Sequence, residues 1–165
     1  MLQGPGAVVL FNSESDWFQL QWPDSWSSIH ITVKELVPVV IACAVWDKKW
    51  QGKSIQCVCD NAAVVAIVNS GSSKDALVMH LMCCLFFFQA VFSLSLHAVH
   101  LPGKSNVAAD SLSRDKLPLF FQQVPKAPPQ PTPLPPELLK AVIHHRPDWI
   151  SQTWKVWFDS ILLKV

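Results

Sequence analysis

Charge is what this chain has least of. Asp, Glu, Lys and Arg make up 15% of its 165 residues, and 13 basic against 12 acidic side chains leave a formal net charge of +1. No global basic field gathers polyanions, so composition alone gives no argument for a nucleic-acid ligand. Tyrosine is absent, although tryptophan occurs eight times. Long apolar runs are missing as well. Met79 to Val99 is interrupted by His80, Gln89, Ser93, Ser95 and His97, and its longest unbroken stretch is Leu81 to Phe88. Crossing a bilayer takes about 20 apolar residues, so this region predicts a buried helix running into a strand, and no membrane partner. The five cysteines, Cys43, Cys57, Cys59, Cys83 and Cys84, are odd in number and lack the spacing of a zinc site. No basic start and apolar run of a secretory leader follows Met1. Reduced core thiols in an intracellular protein, cytoplasmic or nuclear, are expected.

What is present is apolar material: half of the residues are hydrophobic, enough to bury the core of one main domain. Ala7 to Phe11 reads as a strand, and Trp17 to Trp22 alternates as a second, with Asn12 to Asp16 as the hairpin connection. Thr32 to Trp50 predicts a helix with apolar residues at helical spacing, ended by Gly52. Ser54 to Asp60 predicts a strand, Asn61 to Asn69 a short helix, Asp75 to Ala90 a longer buried helix and Ser93 to Leu101 the last strand. That order is the order of an α/β layer fold. After Lys116 the composition shifts. Nine of the thirteen prolines lie between Pro118 and Pro147, which predicts a Pro-rich linker over 116–136 with a polyproline-like spacer from Ala127 to Pro136. Beyond it, Trp154, Trp157, Phe158, Ile161, Leu162 and Val165 recur at three- and four-residue spacing, a helical tail over 137–165.

The most specific stretch is His100-Leu101-Pro102-Gly103-Lys104-Ser105-Asn106-Val107-Ala108-Ala109-Asp110-Ser111-Leu112-Ser113-Arg114. Pro102 and Gly103 break the chain after an apolar strand. Asn106 is suited to cap a short helix, with Asp110 one turn inside it. The run resembles the C-terminal motif of the ribonuclease H domain in retrotransposon reverse transcriptases. Two upstream pieces extend the resemblance: Ile31-Thr32-Val33-Lys34-Glu35-Leu36 looks like the family's glutamate-bearing helix start. Val58-Cys59-Asp60-Asn61, followed by Val64 to Asn69, looks like its strand-end aspartate and following helix. In style the motifs are closest to the DIRS-type, tyrosine-recombinase retroelements.

The resemblance implies an α/β, ribonuclease H-like three-layer fold with a mixed sheet over 1–115, followed by the Pro-rich linker and the helical tail. The tail weakly resembles the opening of a recombinase-type helical domain; an amphipathic tail packing on the main domain is the other reading. The implied activity is metal-dependent hydrolysis of the RNA strand of RNA–DNA hybrids. Glu35, Asp60 and Asp110 match three metal-binding carboxylates, and His100 matches the family's mobile histidine, which assists proton handling or product release. Two Mg2+ (or Mn2+) ions roughly 4 Å apart would activate water and stabilise the leaving oxygen. The implied partner is an RNA–DNA hybrid or another nucleic acid, in the context of a larger retroelement polyprotein.

The match departs from the family at one place. Gly4-Pro5-Gly6-Ala7-Val8-Val9 resembles the turn and second strand that follow the family's first strand. The first aspartate, which bridges both ions, is therefore expected before Met1. Glu14 and Asp16 are the nearest substitutes, and both are expected in the hairpin turn. The two-ion site would be incomplete and hydrolysis impaired, and the sheet would carry a gap where the first strand belongs. Each residue also has a plainer role. Thr32-Val33-Lys34-Glu35 reads as a capping box, Asp60 as an N-cap, Asp110 as a solvated helix charge and His100 as a strand-end histidine. Two other functions stay open. One is a non-catalytic nucleic-acid or protein-binding remnant that contacts phosphates through Lys48, Lys49, Lys53, Lys104 and Arg114. The other is a scaffold whose Pro-rich spacer fills an aromatic groove.

Overall fold

The computed structural model of the chain describes residues 6–11 and 14–139. The architecture is mixed α/β. Strands β1 (Gly6–Phe11) and β2 (Glu14–Gln19) form an antiparallel pair with Phe11 opposite Glu14 and Gly6 opposite Gln19. The second strand thus starts earlier than the alternation over Trp17 to Trp22 predicts. Glu14 and Asp16 lie within β2 and not in a turn. The physical reason is register: pairing Phe11 with Glu14 leaves only residues 12 and 13 to connect the strands, the commonest hairpin length.

Helix α1 (Ile31–Val45) starts one residue before the expected capping box. Its cap is His30, whose Nδ1 accepts the Thr32 N–H at 3.2 Å. Thr32 is buried inside the first turn, so Glu35 is released from a capping role. The helix ends at Trp46, where φ −107° and ψ 21° leave the helical region, and a single turn, α2 (Asp47–Trp50), follows. One helix to Trp50 was the expectation. The break lets Trp46 meet Phe18 of β2 at 5.3 Å and Trp50 at 5.6 Å between ring centroids, and all three are buried.

Strand β3 (Ser54–Cys59) leads into α3 (Ala62–Ser70), then α4 (Ala76–Val91) and β4 (Ser95–His100). Asp75 caps α4, its Oδ1 accepting the Val78 N–H at 2.9 Å. The core is the contact of α1 with α4. Leu36, Val40 and Ile41 from one helix and Leu81, Leu85 and Phe88 from the other are wholly buried. At about 1.5–3 kcal/mol per large apolar side chain, this helix pair outweighs what any single strand contributes. Among the described residues no helix is long and apolar enough to cross a membrane.

β3 and β4 run parallel, with Ser54 opposite Ser95 and Cys59 opposite His100. The outer edge of β4 is closed by side chains. Asn69 of α3 donates Nδ2 to the Ala98 carbonyl and accepts the Ala98 N–H on Oδ1, both at 2.8 Å, as a neighbouring strand would. Gln89 of α4 accepts the Leu96 N–H at 3.0 Å. Among the described residues the strands form two separate pairs, and no strand bridges them into one mixed sheet.

After β4, a single 3-10 turn (Gly103–Ser105) precedes α5 (Val107–Ser113) and α6 (Leu117–Gln123). The compact unit runs to Thr132, not to residue 115. The segment expected as a free linker is tied to β2: Trp17 packs on Phe120 at 5.2 Å and donates its indole N–H to the Pro128 carbonyl at 2.8 Å. The Thr132 N–H bonds the Trp17 carbonyl at 2.7 Å. A buried Trp needs an acceptor for its ring N–H, and the proline-rich backbone supplies one. Of the second unit, Pro133–Val165, the structure describes the short helix α7 (Pro136–Leu139). The helical tail from Trp154 to Val165 and the Gly4-Pro5 start lie outside the described residues.

Candidate metal centre

The site assembles where β3 stops. Consecutive strand residues point to opposite faces, so Cys59 and Asp60 share a site only if the strand ends between them. It does: β3 closes at Cys59, and Asn61 caps α3 by accepting the Ala63 and Val64 N–H groups on Oδ1 at 2.9 and 3.4 Å. Asn61, and not Asp60, is therefore the N-cap. Asp60 is left exposed, with its carboxylate available. The Cys59 thiol is buried, and its sulfur accepts the Asn61 N–H at 3.4 Å.

Glu35 arrives from α1, which packs on α3. One carboxylate oxygen of Glu35, the Cys59 Sγ and one carboxylate oxygen of Asp60 all lie within 4.8 Å of one another. The Asn61 side chain stands beside the Glu35 carboxylate and favours its charged form. Glu35 Oε2, however, is buried with no hydrogen-bond partner. Burial raises the Glu35 carboxyl above its ordinary value, the Asp60 charge adds to this, and the Asn61 side chain opposes it. Burial likewise pushes the Cys59 thiol up, while the Asn61 N–H opposes it.

His100 ends β4 directly opposite Cys59. Its Nε2 lies 3.2 Å from the Asp60 carbonyl. A carbonyl only accepts, so this contact requires the Nε2–H tautomer. The Leu101 N–H bonds the Cys59 carbonyl at 3.0 Å and carries the loop over the site. There Gly103 backs onto Asp60: a Cβ at this position would stand 3.1 Å from Asp60 Oδ2. Glycine keeps that space open.

The structure brings the Glu35 and Asp60 side chains together, and His100 reaches the Asp60 main-chain carbonyl. Asp110 does not join the Glu35–Cys59–Asp60 group. It sits in the first turn of α5 with its carboxylate on Arg114 Nε at 2.7 Å, an exposed i,i+4 pair. Asn106 stands at the helix start without a side-chain cap bond. Two of the basic residues suited to phosphate are engaged as well, Arg114 with Asp110 and Lys49 with Asp16. Cys59 is the member that sequence reasoning missed; its one signal was adjacency to a strand-end aspartate.

A pair of Mg2+ ions takes oxygen ligands and relies on several converging carboxylates. Two carboxylates, a thiol and an Asp110 turned to Arg114 do not make that donor set. No family model, curated protein or solved structure matches this chain.

Proposed function

We propose that the chain is a retroelement-derived ribonuclease H-like domain that engages RNA–DNA hybrids and hydrolyses their RNA strand slowly or not at all. The observation that carries this reading is the meeting of Glu35 with Asp60 beside His100. These residues come from α1, the end of β3 and the end of β4. The motif around His100 and Asp110 adds the family resemblance, and a larger polyprotein is the natural context. The impairment follows from the donor set: Asp110 is paired with Arg114, and Cys59 sets a sulfur beside the two remaining carboxylates.

The test is hybrid binding and cleavage by the full chain in Mg2+ and in Mn2+. Binding should prefer hybrid over duplex DNA of the same sequence and weaken steeply with salt. RNA cleavage should be barely above background. Fast cleavage abolished by Asp60→Asn would refute the impairment, and equal binding of all polyanions would refute the hybrid reading. The Asp110–Arg114 pair favours a second reading, a non-catalytic binding remnant. Hybrid affinity unchanged in Asp60→Asn and Glu35→Gln would support it.

A further inference from the structure

We propose that Glu35, Cys59 and Asp60 form a mononuclear site for a borderline-soft divalent cation of the Zn2+ type, with the Cys59 sulfur as a ligand. The inference rests on reading this cluster as the chain's cation centre, and it is independent of whether hybrids are cut.

Three observations lead to it. The first is the donor set. A thiolate beside two carboxylates selects against Mg2+, a hard ion that takes oxygens and keeps much of its water. Zn2+ accepts Cys, Asp and Glu together, at about 2.3 Å to sulfur and 2.0–2.2 Å to oxygen. The second is distance. Tetrahedral bonds of that length put ligand atoms roughly 3.3–3.8 Å apart, and these three already lie within 4.8 Å of one another. About 1 Å separates the two, within the reach of side-chain rotation about χ angles. The third is the bonding left unmet within the cluster. Glu35 Oε2 is buried and unpartnered, although buried carboxylate oxygens ordinarily find a donor. Gly103 leaves the space beside Asp60 Oδ2 that a Cβ would fill.

The surroundings suit a ligand sphere. Asn61 donates its N–H to the Cys59 sulfur and so orients that donor, and its side chain lies beside the Glu35 carboxylate. Asp60 is exposed, which leaves water free to complete a fourth position. On binding, the Cys59 S–H bond breaks, the sulfur–metal bond forms and the proton leaves to solvent.

The experiment uses the full chain, freed of metal by chelation and titrated with Co2+ as a spectroscopic probe. A near-ultraviolet sulfur-to-cobalt charge-transfer band should appear with strong tetrahedral visible bands, and Zn2+ should displace it while Mg2+ does not. Cys59→Ser should lose the charge-transfer band and weaken Zn2+ binding by at least the roughly 10–100-fold that loss of an outer-shell partner costs. Cys84→Ser should keep both. X-ray absorption at the zinc edge of the unsubstituted chain needs no variant, and should show one sulfur at about 2.3 Å among oxygens. An oxygen- and nitrogen-only shell, or an unchanged charge-transfer band in folded Cys59→Ser, overturns the site. Sulfur ligation without any hybrid affinity keeps the site and sinks the nuclease reading. Mg2+-dependent hybrid cleavage with no sulfur ligation does the reverse.

Discussion

Replacing Asn69 by Ala tests whether a side chain closes the outer edge of β4. The Asn69 amide makes two hydrogen bonds to Ala98, donating to its carbonyl and accepting its N–H, each at 2.8 Å. Ala98 is 2% exposed, so water cannot replace either bond without opening the sheet. Leaving a buried donor and acceptor unpaired costs about 1–3 kcal/mol each. Partial relaxation brings the expected loss for Asn69→Ala to about 2–4 kcal/mol. With a urea m-value of about 2 kcal/mol/M, the midpoint falls by roughly 1–2 M. Asn69→Asp is the informative companion. It still accepts the Ala98 N–H but sets a carboxylate oxygen against the Ala98 carbonyl, so it should be at least as unstable as Asn69→Ala above pH 5. Hydrogen exchange locates the effect: the Ala98 amide should lose protection before the amide of Val99, which points toward β3 in the parallel ladder. A change under 0.5 kcal/mol, or uniform loss of protection along β4, would refute the reasoning. The edge matters to the site because β4 carries His100, whose ring holds the Asp60 carbonyl.

Two further outcomes follow from the same structure. Phe120→Ala should cost about 3–5 kcal/mol, because the ring is wholly buried against Trp17 and Leu112 in a small satellite core; a loss below 1 kcal/mol would mean that the segment after 115 is a free linker. Glu35 supplies a pH dependence. Its carboxyl is raised in the folded chain above the ordinary 4.5, chiefly by burial, so the folded state holds this proton more tightly than the unfolded one. The stability it contributes is complete below the unfolded value and is lost as pH rises through the folded value. In chelator, Glu35→Gln should therefore match the unsubstituted chain near pH 4 and become the more stable of the two as pH rises above 4.5, measured by urea unfolding. A difference that stays flat, or that shrinks with rising pH, would contradict the burial of this carboxylate.

Much of the local structure was legible because its causes lie within a few residues. The helix after Asp75, the strand from Ser54 and the turn at Pro102-Gly103 each depend on neighbours three or four positions away. Where local signals competed, tertiary packing decided. A capping box at Thr32 was sound chemistry, yet burial of Thr32 and the His30 ring moved the helix start and freed Glu35. Asp60 and Asn61 are both good caps, and only the fold shows that Asn61 takes the role.

The sequence by itself determined the order of the four strands, the strand-to-turn step after His100 and the place of Asp110 one turn into its helix. Periodicity and capping are short-range forces, and they write themselves into adjacent residues. Only the tertiary structure decided that Glu35 meets Cys59 and Asp60 and that Asn69 closes the sheet edge. It alone tied a proline-rich segment to Trp17. These contacts join residues far apart in the chain, through packing of faces whose mutual orientation no local spacing encodes.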